Sequence, residues 1–165
     1  MTIAATQKLK KFMYYISKSV PVKINFSDMA RDLELSRDEL PKYLEYLEKA
    51  ELVSVLRMKA NGDAILRKMD KLYLQNSNMS YVLSGENPDT GNARKTIFYC
   101  WTKQKYDTVE SPVSDFEIDG KTFEVGGRNK GKKQISNLED AYVVKDTIEY
   151  VFDNQVPLWM FGFLY

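Results

Sequence analysis

Three helix patterns closed by a hairpin signal, then a strand-rich second half, predict an α+β fold in two parts. Residues 1–75 carry the element order of a winged helix-turn-helix, and residues 76–165 read as a smaller α/β domain. The scale agrees. A chain of 165 residues with 44% hydrophobic and 13% aromatic content buries a real core, as one medium domain or two small ones.

The first helix is predicted by Leu9, Phe12, Met13 and Ile16, which fall at i, i+3, i+4 and i+7 on one face. Pro21 ends it. Lys8, Lys10, Lys11 and Lys18 sit mostly off that face and read as a solvated surface. A short second helix follows, with Ser27 as the expected N-cap and Met29, Ala30 and Leu33 as its apolar positions. After the connector Glu34-Leu35-Ser36, the Ser36-x-x-Glu39 spacing is a capping box for a third helix. Its stripe is Leu40, Tyr43, Leu44 and Leu47. Pro41 is tolerable only in a first turn, which puts the start near Asp38. Leu52–Leu56 reads as a strand, Ala60–Asp63 as a hairpin turn around Asn61-Gly62, and about Ala64–Leu74 as the return strand.

Asn76–Leu83 suggests a short helical piece. The turn formers from Gly85 to Asn92 place the domain boundary near or before them. A helix is predicted over about Ala93–Gln104, burying Ile97, Phe98 and Trp101. Val113–Ile118 and Lys121–Val125 read as strands joined at Asp119-Gly120, a second hairpin signal. The loop from Gly126 to Lys133 is basic and glycine-containing, and Ala141–Val144 reads as a strand. The aromatic run from Val156 to Tyr165 is apolar on both alternations, so much of it needs cover.

Composition excludes several chemistries. There is no histidine, which removes Ser-His-Asp and Cys-His catalysis and most zinc sites. Cys100 is the single cysteine, so no internal disulfide forms, and a buried thiol among Phe98, Tyr99 and Trp101 is expected. Lys and Arg total 24 against 23 Asp and Glu, so no global pull toward nucleic acid or anionic lipid is expected. No GxxxxGK[ST] loop is present. No apolar run approaches the ~20 residues of a membrane span, and Met1–Lys11 lacks an apolar signal-peptide core. These readings point to a cytoplasmic protein.

Asp115 and Glu124 are the residues to examine for chemistry. If their strands pair through Asp119-Gly120, both carboxylates come close, and paired carboxylates suit a hard divalent cation such as magnesium. Strand carboxylates are more often simply solvated. Arg128, Lys130, Lys132 and Lys133 follow in the glycine-containing loop, which reads either as a phosphate cradle or as a solvated loop. On the third helix and its approach, Arg37, Lys42, Glu45, Glu48 and Lys49 are mixed in sign. Only modest affinity for double-stranded DNA is expected there.

Several stretches carry a resemblance: Tyr73-Leu74-Gln75-Asn76, Gly85-Glu86-Asn87-Pro88, Gly91-Asn92-Ala93-Arg94, the run from Phe123 to Lys130, Ile148-Glu149-Tyr150, and the ending Pro157 to Tyr165. Leu35-Ser36 and the run from Tyr43 to Glu48 add to them. The chain resembles the C-terminal region of a bacterial AAA-type ATPase family that carries a domain of unknown function after its ATP-binding part. That final domain is similar to PD-(D/E)xK nucleases, which implies a restriction-endonuclease-like α/β fold. Such nucleases use an Asp on one strand, Glu-x-Lys on the next, and often a Glu on the preceding helix. Asp115 and Glu124 match the two strand acids. The lysine position falls on Gly126 and the helix acid on Lys95, a reversed charge. Two of four elements are therefore missing.

The expected function is a non-catalytic DNA- or protein-binding module, with double-stranded DNA, a AAA-type ATPase or a second copy of the chain as partners and no cofactor. The competing expectation is a magnesium-dependent nuclease in which Lys130 or Lys132 supplies the displaced lysine.

Overall fold

A computed structural model describes residues 3–58, 71–85, 88–131 and 134–164. The hairpin turn expected at Ala60–Asp63 and strand residues 64–70 lie outside the described residues, as do Lys132 and Lys133. The fold is mixed α+β, in two compact units.

The first unit comprises Met1–Val55 and Met69–Pro88. Its elements are α1 (Ile3–Ser19), β1 (Val22–Lys23), α2 (Phe26–Asp32), α3 (Glu39–Lys49), β2 (Val53–Leu56), β3 (Lys71–Leu74) and α4 (Asn78–Ser84). The strands form one sheet in the order β1-β3-β2, with β1 antiparallel to β3. Helix α4 packs on α1, so it belongs with the residues before it. Phe12, Ile16, Met29, Leu33, Leu40, Leu72, Tyr73 and Leu74 are fully buried. Leu9 and Tyr43, which the helical periodicity assigns to the buried stripes, are only half-buried.

Two helix starts test local chemistry. The Ser36–Glu39 box closes as its spacing predicts. Ser36 N donates to Glu39 Oε2 at 2.9 Å, and Glu39 N donates to Ser36 Oγ at 3.2 Å. The Ser36 amide, and after it the Lys8 ammonium, hold the Glu39 carboxyl down at about 2. At α2 the expectation is corrected. Asn25, not Ser27, is the N-cap, because its Oδ1 accepts from Ser27 N at 3.1 Å and Asp28 N at 3.3 Å. A side chain inside the first turn, as Ser27 is, cannot reach those amides from outside the helix. Asn25→Ala is expected to lower the stability of this unit by about 1 kcal/mol in urea titration. Ser27→Ala is expected to be near neutral, and the reverse order would restore Ser27 as the cap.

The second unit comprises Leu56–Lys68 and Asp89–Tyr165. Its elements are α5 (Thr90–Thr102), β4 (Thr108–Glu110), β5 (Phe116–Ile118), β6 (Lys121–Gly126), β7 (Ala141–Lys145), β8 (Gln155–Pro157) and a 3₁₀ helix, Leu158–Phe163. The sheet order is β4-β5-β6-β7-β8. Strands β4, β5 and β6 form an antiparallel meander, and β7 and β8 then run parallel to β6. Strand β4 is not foreseen from sequence, since three residues carry no readable alternation. Strand β5 starts later than predicted. Ser111 Oγ accepts from Val113 N and Ser114 N at 3.3 and 3.2 Å, which turns residues 111–114 away from extended pairing.

Helix α5 starts at the N-cap Asp89, whose Oδ1 accepts from Asn92 N at 2.8 Å. Its buried face differs from the expected Ile97, Phe98 and Trp101. Phe98 is fully buried, but with Thr96, Tyr99 and Thr102, while Ile97 is half-buried and Trp101 is exposed. Burial of the two threonines is inexpensive, because Thr96 Oγ1 and Thr102 Oγ1 each donate to a carbonyl one turn earlier at 2.9 Å. Phe98 meets Phe116, Phe123 and Phe161 at ring-centroid distances of 5.0, 5.5 and 4.7 Å. Among the described residues no helix is long and apolar enough to cross a membrane.

Candidate functional site

The site is built on the β5–β6 hairpin. Asp119 and Gly120 both take positive φ, 49° and 79°, as a tight primed turn requires. That turn sets the register, with Phe116 opposite Phe123 and Ile118 opposite Lys121. Asp115 and Glu124 directly follow the last pair of that ladder, Phe116 and Phe123, one on each side. Val125 N donates to Asp115 Oδ2 at 3.0 Å and fixes that carboxylate.

Glu124 lies in β6 between β5 and β7, and only 1% of its side chain is exposed. Such a carboxylate has lost its water and needs both partners and charge compensation. Ser114 Oγ donates to Oε2, and the Lys130 ammonium pairs with Oε1. Lys130 is returned to the strand by a turn in which its own N–H donates to Gly127 O at 3.0 Å. Its stem lies over Gly126. A Cβ at Gly126 would fall inside the Lys130 side chain, 2.5 Å from its Cβ and 2.9 Å from its Cδ. The missing side chain at 126 is therefore the space that Lys130 fills.

Helix α5 brings two cations to the same edge. Lys95 Nζ lies 2.6 Å from Asp115 Oδ1, and Arg94 Nε lies 2.6 Å from Asp146 Oδ2. Arg94 also covers Gly127, where a Cβ would meet Nη1 at 3.0 Å. Asp115 and Glu124 thus each face an ammonium, and the two acids and two lysines sum to no net charge. Among the described residues no group of three or more acid or thiol side chains is placed to hold a metal ion. Sequence reasoning names Asp115, Glu124, Gly126, Lys95 and Lys130, and the structure brings all five together. It misses Ser114, Arg94 and Asp146. Ser114 had a signal, as the neighbour of Asp115. The Arg94–Asp146 pair spans 52 residues and had none.

The other predicted binding residues are dispersed. Arg37 and Lys42 are exposed in the first unit, and Lys49 is paired with Glu45 at 2.6 Å. Arg128 is exposed, while Lys130 points back into the acid pair. Cys100 is half-buried, and burial pushes its thiol up to about 11. Against an ordinary 9.0, about a hundredfold less thiolate is present at pH 8. Iodoacetamide labelling of the native protein at that pH is expected to be correspondingly slow and to speed up on denaturation. Equal rates in both states would contradict the burial.

No curated protein and no solved structure matches the chain. One family model does, over residues 2–90, more than half of the chain, which take in the first unit apart from Met1 and reach the start of α5. By that match the chain belongs to the family described as a domain of unknown function, DUF8612.

Proposed function

We propose that the chain is a non-catalytic binding module, a winged helix joined to a nuclease-like domain whose metal position is closed by lysines. The winged-helix reading is supported by the order α1-β1-α2-α3-β2-β3 and by the sheet order β1-β3-β2. The nuclease-like reading is supported by α5, the β4-β5-β6 meander and Asp115 and Glu124 at the end of the β5–β6 ladder, with β7 parallel to β6. The observation that carries the conclusion is the double ion pair. A divalent cation needs free carboxylate oxygens and net negative charge. Here the Lys95 ammonium sits at Asp115 and the Lys130 ammonium at Glu124. A metal entering would meet two like charges at ion-pair distance.

Charge also weighs on the choice of partner. Lys8, Lys11 and Lys49 are spent on Glu39, Glu34 and Glu45. Of the predicted DNA-binding residues that are described, Arg37, Lys42 and Arg128 have no ion-pair role, so affinity is modest and falls steeply with salt. A protein partner in the cytoplasm, a AAA-type ATPase or a second copy, is favoured by that balance.

The test is calorimetric titration with Mn²⁺, cleavage assays on duplex and single-stranded DNA with Mg²⁺ and with Mn²⁺, and gel shifts at low salt. No metal binding and no cleavage are expected. One observation favours a second reading, a magnesium-dependent nuclease with a displaced lysine: the Lys130 stem fills the space above Gly126. It predicts metal-dependent cleavage that disappears in Asp115→Ala, and that result would replace the first reading.

A further inference from the structure

The first unit holds an open apolar groove of about 1310 Å³ between α1, α3 and α4. Leu9 and Met13 form one wall, Tyr43 and Tyr46 the other, and Met79 and Leu83 come from α4. The groove explains a mismatch between pattern and burial. The apolar stripes of α1 and α3 continue past the core, so Leu9 and Tyr43 are left half-buried and Tyr46 is 55% exposed. Tyr43 and Tyr46 stand edge to face, with centroids 6.3 Å apart. Tyrosine and methionine are the residues that protein interfaces favour.

Size and shape select the occupant. Small-molecule sites enclose roughly 300–1,000 Å³ and bury most of their ligand. This groove is larger, and Tyr46 in its lining is 55% exposed. The lining of α1 runs from Ala5 to Met13, and that of α3 from Glu39 to Lys49 with its C-cap Ala50. At about 1.5 Å per residue those walls are roughly 12 and 16 Å long, two to three turns of a docked helix.

Charge selects its chemistry. Lys10 and Lys42 stand on opposite walls and have no ion-pair partner among the described residues. Glu39, the one carboxylate in the lining, is taken up by Lys8 at 3.0 Å and by the Ser36 amide. The third lining lysine, Lys49, is balanced by Glu45. The rim is therefore net positive on both sides of an apolar floor. We infer that this groove binds an amphipathic helix of a partner protein, one whose apolar stripe is flanked by carboxylates. The inference rests on the binding-module reading and gives the partner its chemistry.

The test uses the intact chain and two fluorescein-labelled synthetic peptides of about 14 residues, roughly four helical turns. Both carry leucines at i, i+3, i+4 and i+7; one has glutamates flanking the stripe and the other lysines. Fluorescence anisotropy is expected to give at least about tenfold tighter binding of the glutamate peptide, fading as salt rises. Lys10→Glu with Lys42→Glu is expected to reverse that order. Leu9→Asp is expected to abolish binding of both, with circular dichroism confirming that each variant is folded. No binding of either peptide to the folded chain overturns the inference, as does equal binding of both. So does sodium laurate binding at this groove where the peptides do not, which would make it a fatty-acid site. Metal-dependent DNA cleavage would remove the non-catalytic reading and leave the peptide result standing. Failure of the peptides alone would leave the lysine-closed centre standing.

Discussion

Lys130→Met is expected to destabilise the second unit by about 2–3 kcal/mol, read as a lower urea midpoint at unchanged slope. The substitution keeps the aliphatic stem that lies over Gly126 and removes only the ammonium. Glu124, 1% exposed, is then left with the Ser114 hydroxyl as its remaining side-chain partner among the described residues. Stranding one member of a fully buried ion pair costs about 3–5 kcal/mol. The Lys130 side chain is 34% exposed, so water replaces part of its role and the expected cost falls to the bottom of that range or just below it. Glu124→Gln with Lys130→Met is expected to recover most of the loss, because the carboxamide carries no charge and still accepts from Ser114. A single variant within about 0.5 kcal/mol of the parent would mean that the pair is energetically idle.

The larger effect is expected from Phe98→Ala. This ring is fully buried and stands within 5.5 Å, centroid to centroid, of Phe116, Phe123 and Phe161. Removing it deletes the α5 ring that touches Phe116, Phe123 and Phe161 together, although Tyr99 still stacks on Phe116. Truncating a buried phenylalanine costs about 3–5 kcal/mol, against a typical domain stability of about 5–15 kcal/mol. Both tryptophans, Trp101 and Trp159, lie in this unit, so their fluorescence reports its unfolding directly. The Phe98→Ala midpoint should collapse or vanish. Trp101→Ala, at a 37% exposed position, should cost about 1 kcal/mol, measured by circular dichroism. If Trp101→Ala were the more damaging of the two, the orientation of α5 described above would be wrong.

The contrast between Phe98 and Trp101 shows where periodicity stops being informative. Both lie on a three-residue spacing, and both are large and apolar. The choice between them depends on where the sheet lies beneath α5, which no local spacing encodes. The same holds for Leu9 and Tyr43. The pattern places them on the buried stripes of α1 and α3, yet both are half-buried and line a groove.

Local chemistry carries further. The Ser36–Glu39 box, the Asp119-Gly120 turn and the strand on each side of it are legible because each is settled within a few residues. The turn does more than mark a bend. Its two positive-φ positions set the register, and the register brings Asp115 and Glu124 to the same end of the hairpin ladder. The placement of both acids at the hairpin's end is therefore legible in the sequence. So is the absence of a side chain at Gly126 and of any histidine in the chain. Which cations answer the acids is not. Lys95 arrives from a helix 20 residues before Asp115, and Lys130 folds back from a loop to occupy the room that Gly126 leaves. The family resemblance singles out Lys95, and Lys130 or Lys132, among 24 lysines and arginines, but no spacing says which ammonium reaches which acid. Only the position of α5 over the sheet, and the tight return of the loop after β6, bring each ammonium to a desolvated carboxylate. That desolvation makes the pairing obligatory.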